Sequence, residues 1–261
     1  AASDPNFKLF EGAAEVLAGR AKTGMRTLSA DLLADSPDAA LWRTLGAVDL
    51  NDWQTARENS MRGAAVAGTY PLTLQAAFGL AAARAAIELN DLGAASAFLA
   101  ELDPSALENK QGAAFEILQA RIADASGRPD DARVLYDRVV ASTNRAAAAE
   151  ATLRRTSLLV RDGKISNAEA IDAYHSITIG WRGDEIELMS LRAMANLMVA
   201  ENRHREAFVA MKAAVIADTD AETTRLLQDE MQREFAALYL ENKADKLDPV
   251  KALSLYYDFR E

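Results

Sequence analysis

A glycine or asparagine closes an amphipathic segment seven times along this 261-residue chain, at Gly19, Asn51, Asn90, Gly127, Gly163, Asn202 and Asn242. Successive markers lie 32 to 40 residues apart. Five residues after the first six stand Gly24, Ala56, Ala95, Ala132, Ala168 and Ala207, every one small. The seventh breaks the pattern, with Leu247 at that place and Ala252 following only after the stretch KADKLDP. Glycine and asparagine tolerate left-handed backbone angles and are favoured just past a helix C-terminus. A small residue on the first turn of the next helix lets two antiparallel helices approach closely. The repeating unit is therefore a helix hairpin, and a fixed period of this length marks a stacked array.

The segments between the markers agree. GRPDDA places Pro129 and the acids Asp130 and Asp131 at a helix start, where proline gives up only an orphan donor and acids meet the positive end of the helix dipole. The hairpins are separated by DSPD at 35–38, GTYP at 68–71, LDPS at 102–105, STN at 142–144, RGD at 182–184 and DTD at 218–220, each offering a turn or N-cap residue. Half of the chain is hydrophobic, with alanine the commonest of those residues, and only 6 prolines and 13 glycines interrupt it. Alanine is the strongest helix former and packs in little volume. No convincing alternation of β-branched and aromatic residues marks a strand, so the expectation is all-α, with hairpins over 5–34, 38–67, 71–102, 106–141, 145–178, 185–217 and 221–260. Each must stack on its neighbours to bury its apolar stripe, which predicts a single repeat domain over 1–261.

Leu191, Met194, Ala195 and Met198 before Asn202, then Ala207, Met211 and Ala214 after it, reproduce place by place the pattern of the tetratricopeptide repeat family. Ala120, Gly127, Ala132 and Tyr136 do the same in the fourth unit. The chain thus resembles that family in degenerate form. In the second unit Trp42, Leu45 and Gly46 fall two residues out of phase with Asn51, and in the fifth Ala170, Tyr174 and Ile177 fit better than Ala168, implying a longer turn. The resemblance implies a right-handed α-solenoid and a peptide- or protein-binding groove. It also implies that residues six before each marker face the concave side, which places Arg84, Arg121, Ser157 and Asn196 there. Arg192 shares the helical face of Asn196. Arginine forks on such a face suit a terminal carboxylate of a partner peptide. Exposed arginine chosen for solubility and ion pairing is the alternative.

Other chemistries find little support. The net charge of −10 argues against nucleic acid, whose binding draws on clustered Lys and Arg. With no cysteine and only His175 and His204, in separate units, thiolate sites and a two-histidine metal site are not expected, nor is any cofactor. Phosphate-loop, dinucleotide and zincin motifs are absent. The carboxylate pairs Asp130/Asp131 and Glu230/Glu234 read as helix starts and solvated faces, and RGD as an inter-hairpin turn. Trp42, Trp53 and Trp181 read as hairpin packing, and Met194, Met198 and Met211 as core.

The apolar run Leu74 to Leu89 is interrupted by Arg84 and too short to span a bilayer, so no membrane insertion is expected. The segment IDAYHSITIGWRGDEIELMSLRAMANLMVAENRHREA is similar to stretches in large alphaproteobacterial tetratricopeptide proteins, some of them exported, which implies a periplasmic location, with the cytoplasm as the alternative. The chain lacks an initiator Met and LSLYYDFRE stops without a polar cap, so a region of a longer protein is expected. The leading expectation is a non-catalytic scaffold in a bacterial cell-envelope assembly. The alternatives are a self-associating or structural spacer in a larger machine, such as an envelope-spanning or flagellar complex, and the regulatory part of an enzyme whose catalytic domain lies elsewhere.

Overall fold

The computed structural model describes residues 4–182, 184–218, 221–241 and 243–260. Among them the regular structure is entirely helical. The helices alternate between a first (A) and a second (B) member of each hairpin: α1 (Pro5–Leu17) with α2 (Ala21–Leu28), α3 (Pro37–Asp49) with α4 (Trp53–Ala67), α5 (Leu72–Glu88) with α6 (Leu92–Ala100), and α7 (Asn109–Ala125) with α8 (Pro129–Val140). There follow α9 (Arg145–Arg161) and α10 (Asn167–Gly180), α11 (Glu185–Ala200) and α12 (His204–Ala217), and α13 (Ala221–Leu240) and α14 (Pro249–Phe259). Contacts divide the chain into two compact units, one up to Ala147 and one from Ala148, the division falling in the first turn of α9.

The turn markers do what their chemistry demands. Gly19, Asn51, Asn90, Gly127, Gly163 and Asn202 all have positive φ, between 56° and 74°. After each, the next backbone N–H donates to the carbonyl four residues before the marker, as from Arg128 to Ala123 at 2.9 Å and from Arg203 to Met198 at 2.8 Å. This is the Schellman closure, which satisfies carbonyls that a helix end leaves open. Asn242 lies outside the described residues, as do Gly183, Thr219 and Asp220 of two junctions.

Helix starts also follow the sequence. Ser36, Asp52, Asp91, Ser166, Asp184 and Asp248 accept hydrogen bonds from first-turn amides, and Pro129 with Asp130 and Asp131 opens α8. In the fifth hairpin α10 starts four residues after Gly163, where α2, α4, α6, α8 and α12 start two after their marker. The extra residues form a capping box between Ser166 and Glu169. They move the small contact residue to Ala170, fully buried, and leave Ala168 exposed. Similarly a 3-10 turn at Lys243–Lys246 delays α14, and the Tyr239 hydroxyl donates to the Ala252 carbonyl at 2.7 Å. LDPS forms a 3-10 turn rather than the start of a helix, so α7 begins at Asn109.

A second small position stands seven residues before each of the first six markers. These are Gly12, Thr44, Ala83, Ala120, Thr156 and Ala195, all buried. At the first hairpin a Cβ added to Gly24 would lie 3.0 Å from the Gly12 carbonyl oxygen and 2.7 Å from Val16.

A second face of α3, α5, α7, α11 and α13 receives the preceding B helix. In α3, Ala39, Trp42 and Gly46 stand twelve, nine and five residues before Asn51 and are buried; in α7, Phe115, Leu118 and Ile122 hold the same places before Gly127. A Cβ added to Gly46 would come within 2.9 Å of Met25 Sδ on α2, and the three α7 residues share an apolar cluster with Leu99 of α6. Thus α2 packs on α3, α4 on α5 and α6 on α7 in the first unit, and α10 on α11 and α12 on α13 in the second. Trp42, out of phase with the family pattern, also reaches the following hairpin through edge-on contacts with Tyr70 and Phe78, centroids 6.1 and 5.3 Å away.

The period reappears in the polar contacts. Within the first unit Arg57–Asp91, Tyr70–Asp38, Asn109–Thr143 and Arg121–Glu88 link residues 32 to 34 apart, and within the second Asn167–Glu201 and Arg192–Glu230 link residues 34 and 38 apart. The Tyr70 hydroxyl donates to Asp38 at 2.8 Å; burial and that bond push its pKa up to about 12. The second unit's core joins Leu153 to α10–α14, with Met194, Met198, Met211, Tyr174 and Phe208 all buried.

Candidate functional site

Residues six and two before a marker lie on one face of an A helix. In the first unit this face carries Asp49 of α3, Arg84 and Glu88 of α5, and Arg121 of α7. Arg121 Nη2 donates to Glu88 Oε1 at 2.8 Å, and only 13% of its side chain remains exposed. Arg84 occupies the equivalent step one repeat earlier, its charge acting on Asp49. Its guanidinium also lies over the Trp53 ring, 5.4 Å from the centroid. Each arginine is thus held by the preceding repeat.

One carboxyl on this face is perturbed. Burial pushes the Asp49 carboxyl above its ordinary value, against the opposing pull of Arg84 and Lys110. Yet the Asp49 side chain stays exposed to solvent. The alternating acids and bases Asp49, Arg84, Glu88 and Arg121 form a charged strip in which each fork already has an acidic neighbour.

In the second unit the Ser157 hydroxyl bonds to the Leu153 carbonyl at 3.0 Å and to the Tyr174 hydroxyl at 2.9 Å, fastening α9 to α10. Arg192 is half-exposed and pairs with Glu230 of α13 at 2.9 Å, while Asn196, one turn along α11, is exposed. Between α11 and α13 a cleft of about 860 Å³ is lined by Arg192, Leu226, Asp229, Glu230, Arg233 and Ala236.

Asp49, Glu88 and Lys110 were not among the residues singled out from sequence, while Glu230 and Trp53 were read there as a solvated face and as hairpin packing, not as partners of these arginines. A signal existed for two of them. Glu88 and Asp49 stand two before their markers, and the arginine they face stands six before the next, so the pairs recur at about one repeat.

The remaining sequence candidates fall into place. His175 is exposed on α10; His204 opens α12 and is buried, with Nε2 lacking a hydrogen-bond partner. Burial holds the His204 pKa below its ordinary value, opposed by Glu234 and joined by Lys243. Asp184 of the RGD tripeptide accepts from the Ile186 and Glu187 amides and from Trp181 Nε1 at 2.6 Å, a helix-capping role. Among the described residues no group of His, Cys, Asp and Glu is arranged to hold a metal ion, and no helix is long and apolar enough to cross a membrane.

No family model matches the chain, and no curated protein does. Solved structures do. The complex of NprR with its cognate peptide NprX superposes with a TM-score of 0.72 over 97% of this chain and 76% of that one, at 14% identity. The apo form of the quorum sensor NprR from B. thuringiensis gives 0.72 over 96% and 75%, at 15% identity. A tetratricopeptide repeat protein from Parabacteroides merdae gives 0.65 over 88% and 86%, at 12% identity. At these identities the likeness is one of fold, and the fold is a tetratricopeptide-type helical repeat.

Proposed function

We propose that this protein is a non-catalytic scaffold that binds a peptide, or a peptide-like segment of a protein, along the charged faces of its A helices. The observation that carries the reading is the fold shared with NprR, which has been seen in complex with its cognate peptide. The charged strip in the first unit and the cleft beside Arg192 in the second offer polar lining of the kind such a ligand needs. Arg84 and Arg121 in the one unit, and Ser157, Arg192 and Asn196 in the other, are the residues proposed to contact it, the arginines engaging a terminal carboxylate. A bacterial cell-envelope assembly in the periplasm is the proposed setting.

The pairing of Arg121 with Glu88 makes the reading testable in two directions. A ligand carboxylate must compete with Glu88 for the guanidinium. Fluorescence anisotropy against a peptide library with free or amidated C-termini should therefore find binders that prefer the free carboxylate. Arg84→Ala and Arg121→Ala should weaken them, whereas Glu88→Gln, by releasing Arg121, should strengthen them up to about fivefold, the worth of a partly exposed ion pair. Weaker binding in Glu88→Gln, or none of the peptides binding, would refute the carboxylate reading.

A second reading, a self-associating structural module, is favoured by apolar surface on α1 and α14.

A further inference from the structure

The self-association reading acquires a specific interface from the register of the repeats, and the inference that follows rests on that reading. On α1, Phe7, Phe10 and Ala14 stand twelve, nine and five residues before Gly19. Those are the places of Ala39, Trp42 and Gly46 on α3 and of Phe115, Leu118 and Ile122 on α7, where they are buried beneath the preceding B helix. On α1 the same face is open, with Phe7 49% and Phe10 72% exposed and Ala14 exposed. It is an A-helix docking face without a B helix on it among the described residues.

α14 shows the complementary feature. Its inner face packs against the core of the second unit through Leu255 and Phe259, Phe259 against Phe208 at 5.5 Å. A further stripe, Val250, Leu253 and Tyr257, follows an i, i+3, i+7 spacing and is 76%, 58% and 60% exposed. A helix apolar on two faces calls for cover on both. The register says what kind of cover. Leu253 follows the small residue Ala252, as Met25 follows Gly24 and Phe208 follows Ala207. Met25 lies against Gly46 of α3, and Phe208 packs on Phe235 of α13 at 5.7 Å. Both face the next A helix.

We infer that α14 of one molecule docks on α1 of a second copy, repeating between molecules the B-to-A packing that recurs inside the chain. Val250, Leu253 and Tyr257 meet Phe7, Phe10 and Ala14. The two surfaces differ, so the contact is heterologous: a bound copy still offers one free face of each kind, and assembly continues into open chains or closes into rings.

Single charges on the two faces test this, and both positions are exposed, where substitutions cost little stability. In sedimentation velocity the wild type should grow in mass with concentration from its 28.2 kDa monomer. Phe10→Asp and Leu253→Asp should each stay monomeric, with unchanged circular dichroism. Mixed in equal amounts, they should form a dimer and stop there, because one intact α1 and one intact α14 remain. A wild type monomeric into the submillimolar range overturns the inference. So does a Phe10→Asp or Leu253→Asp variant that still self-associates alone, which would mark a like-with-like contact, or a mixture that fails to pair. The readout needs no peptide, so its failure leaves the peptide-binding reading untouched, and the converse holds.

Discussion

Gly127 offers a test of the repeat itself at a position where conformation can be separated from contact. Its φ is 74°, and a Cβ placed there would meet nothing within 4 Å. Any loss on substitution is therefore backbone strain rather than crowding. The left-handed region costs an ordinary L-residue about 1–2 kcal/mol, so Gly127→Ala should lower stability by about that amount. For a unit of this size each kcal/mol shifts the melting temperature by roughly 2–4 °C. Asn51, Asn90 and Asn202 hold the same angle in sister turns, so Gly127→Asn should lose less than half as much. Gly127→Val should lose most, because a branched Cβ is least tolerated there. Gly68 is the control: it caps α4 at φ −66° with nothing near its Cβ position, and Gly68→Ala should be neutral or stabilising by about 0.4–1 kcal/mol. Thermal melts followed by circular dichroism decide the matter. Equal stabilities for Ala and Asn at 127, or a loss at 68 matching that at 127, would refute the claim that left-handed geometry is what these markers supply.

Three further expectations follow from packing and titration. Gly24→Ala should destabilise by about 1–3 kcal/mol, because its methyl would press on Val16 and the Gly12 carbonyl; a neutral result in urea unfolding would show that the hairpin opens at no cost. Trp42→Ala should cost about 3–5 kcal/mol by emptying the cluster with Tyr70 and Phe78, and a loss under 1 kcal/mol would contradict its anchoring role. His204 has a folded-state pKa below the ordinary 6.5, so its neutral form is favoured by folding. Its contribution is complete above that value and is lost as pH falls through it. Melting temperatures recorded down an acid series should fall more steeply in the wild type than in His204→Phe, and parallel slopes would remove His204 as a cause.

The hairpin turns were legible because left-handed φ and helix capping are local properties: Gly127, Asn90 and Ser166 announce them without reference to anything distant. The longer fifth turn was legible for the same reason, through Ala170, Tyr174 and Ile177 falling into phase. Helix-period spacing likewise identified the core methionines. The second hairpin resisted the family pattern because Trp42 meets Tyr70 and Phe78, residues of the following hairpin that no local rule connects to it.

What the sequence alone determined about this protein is thus its helices, its turns and its period, since each depends on residues within one or two turns of one another. What the tertiary structure decided is where the charges and apolar stripes go. Arg121 reads the same in sequence whether it faces solvent or Glu88; only the stacking of α7 on α5 brings the two within 2.8 Å. Phe10 and Leu118 stand at the same step of their helices and are equally apolar, yet one is 72% exposed and the other buried. The period fixes which face a residue occupies, but whether another helix lies over that face depends on packing between residues far apart in the chain.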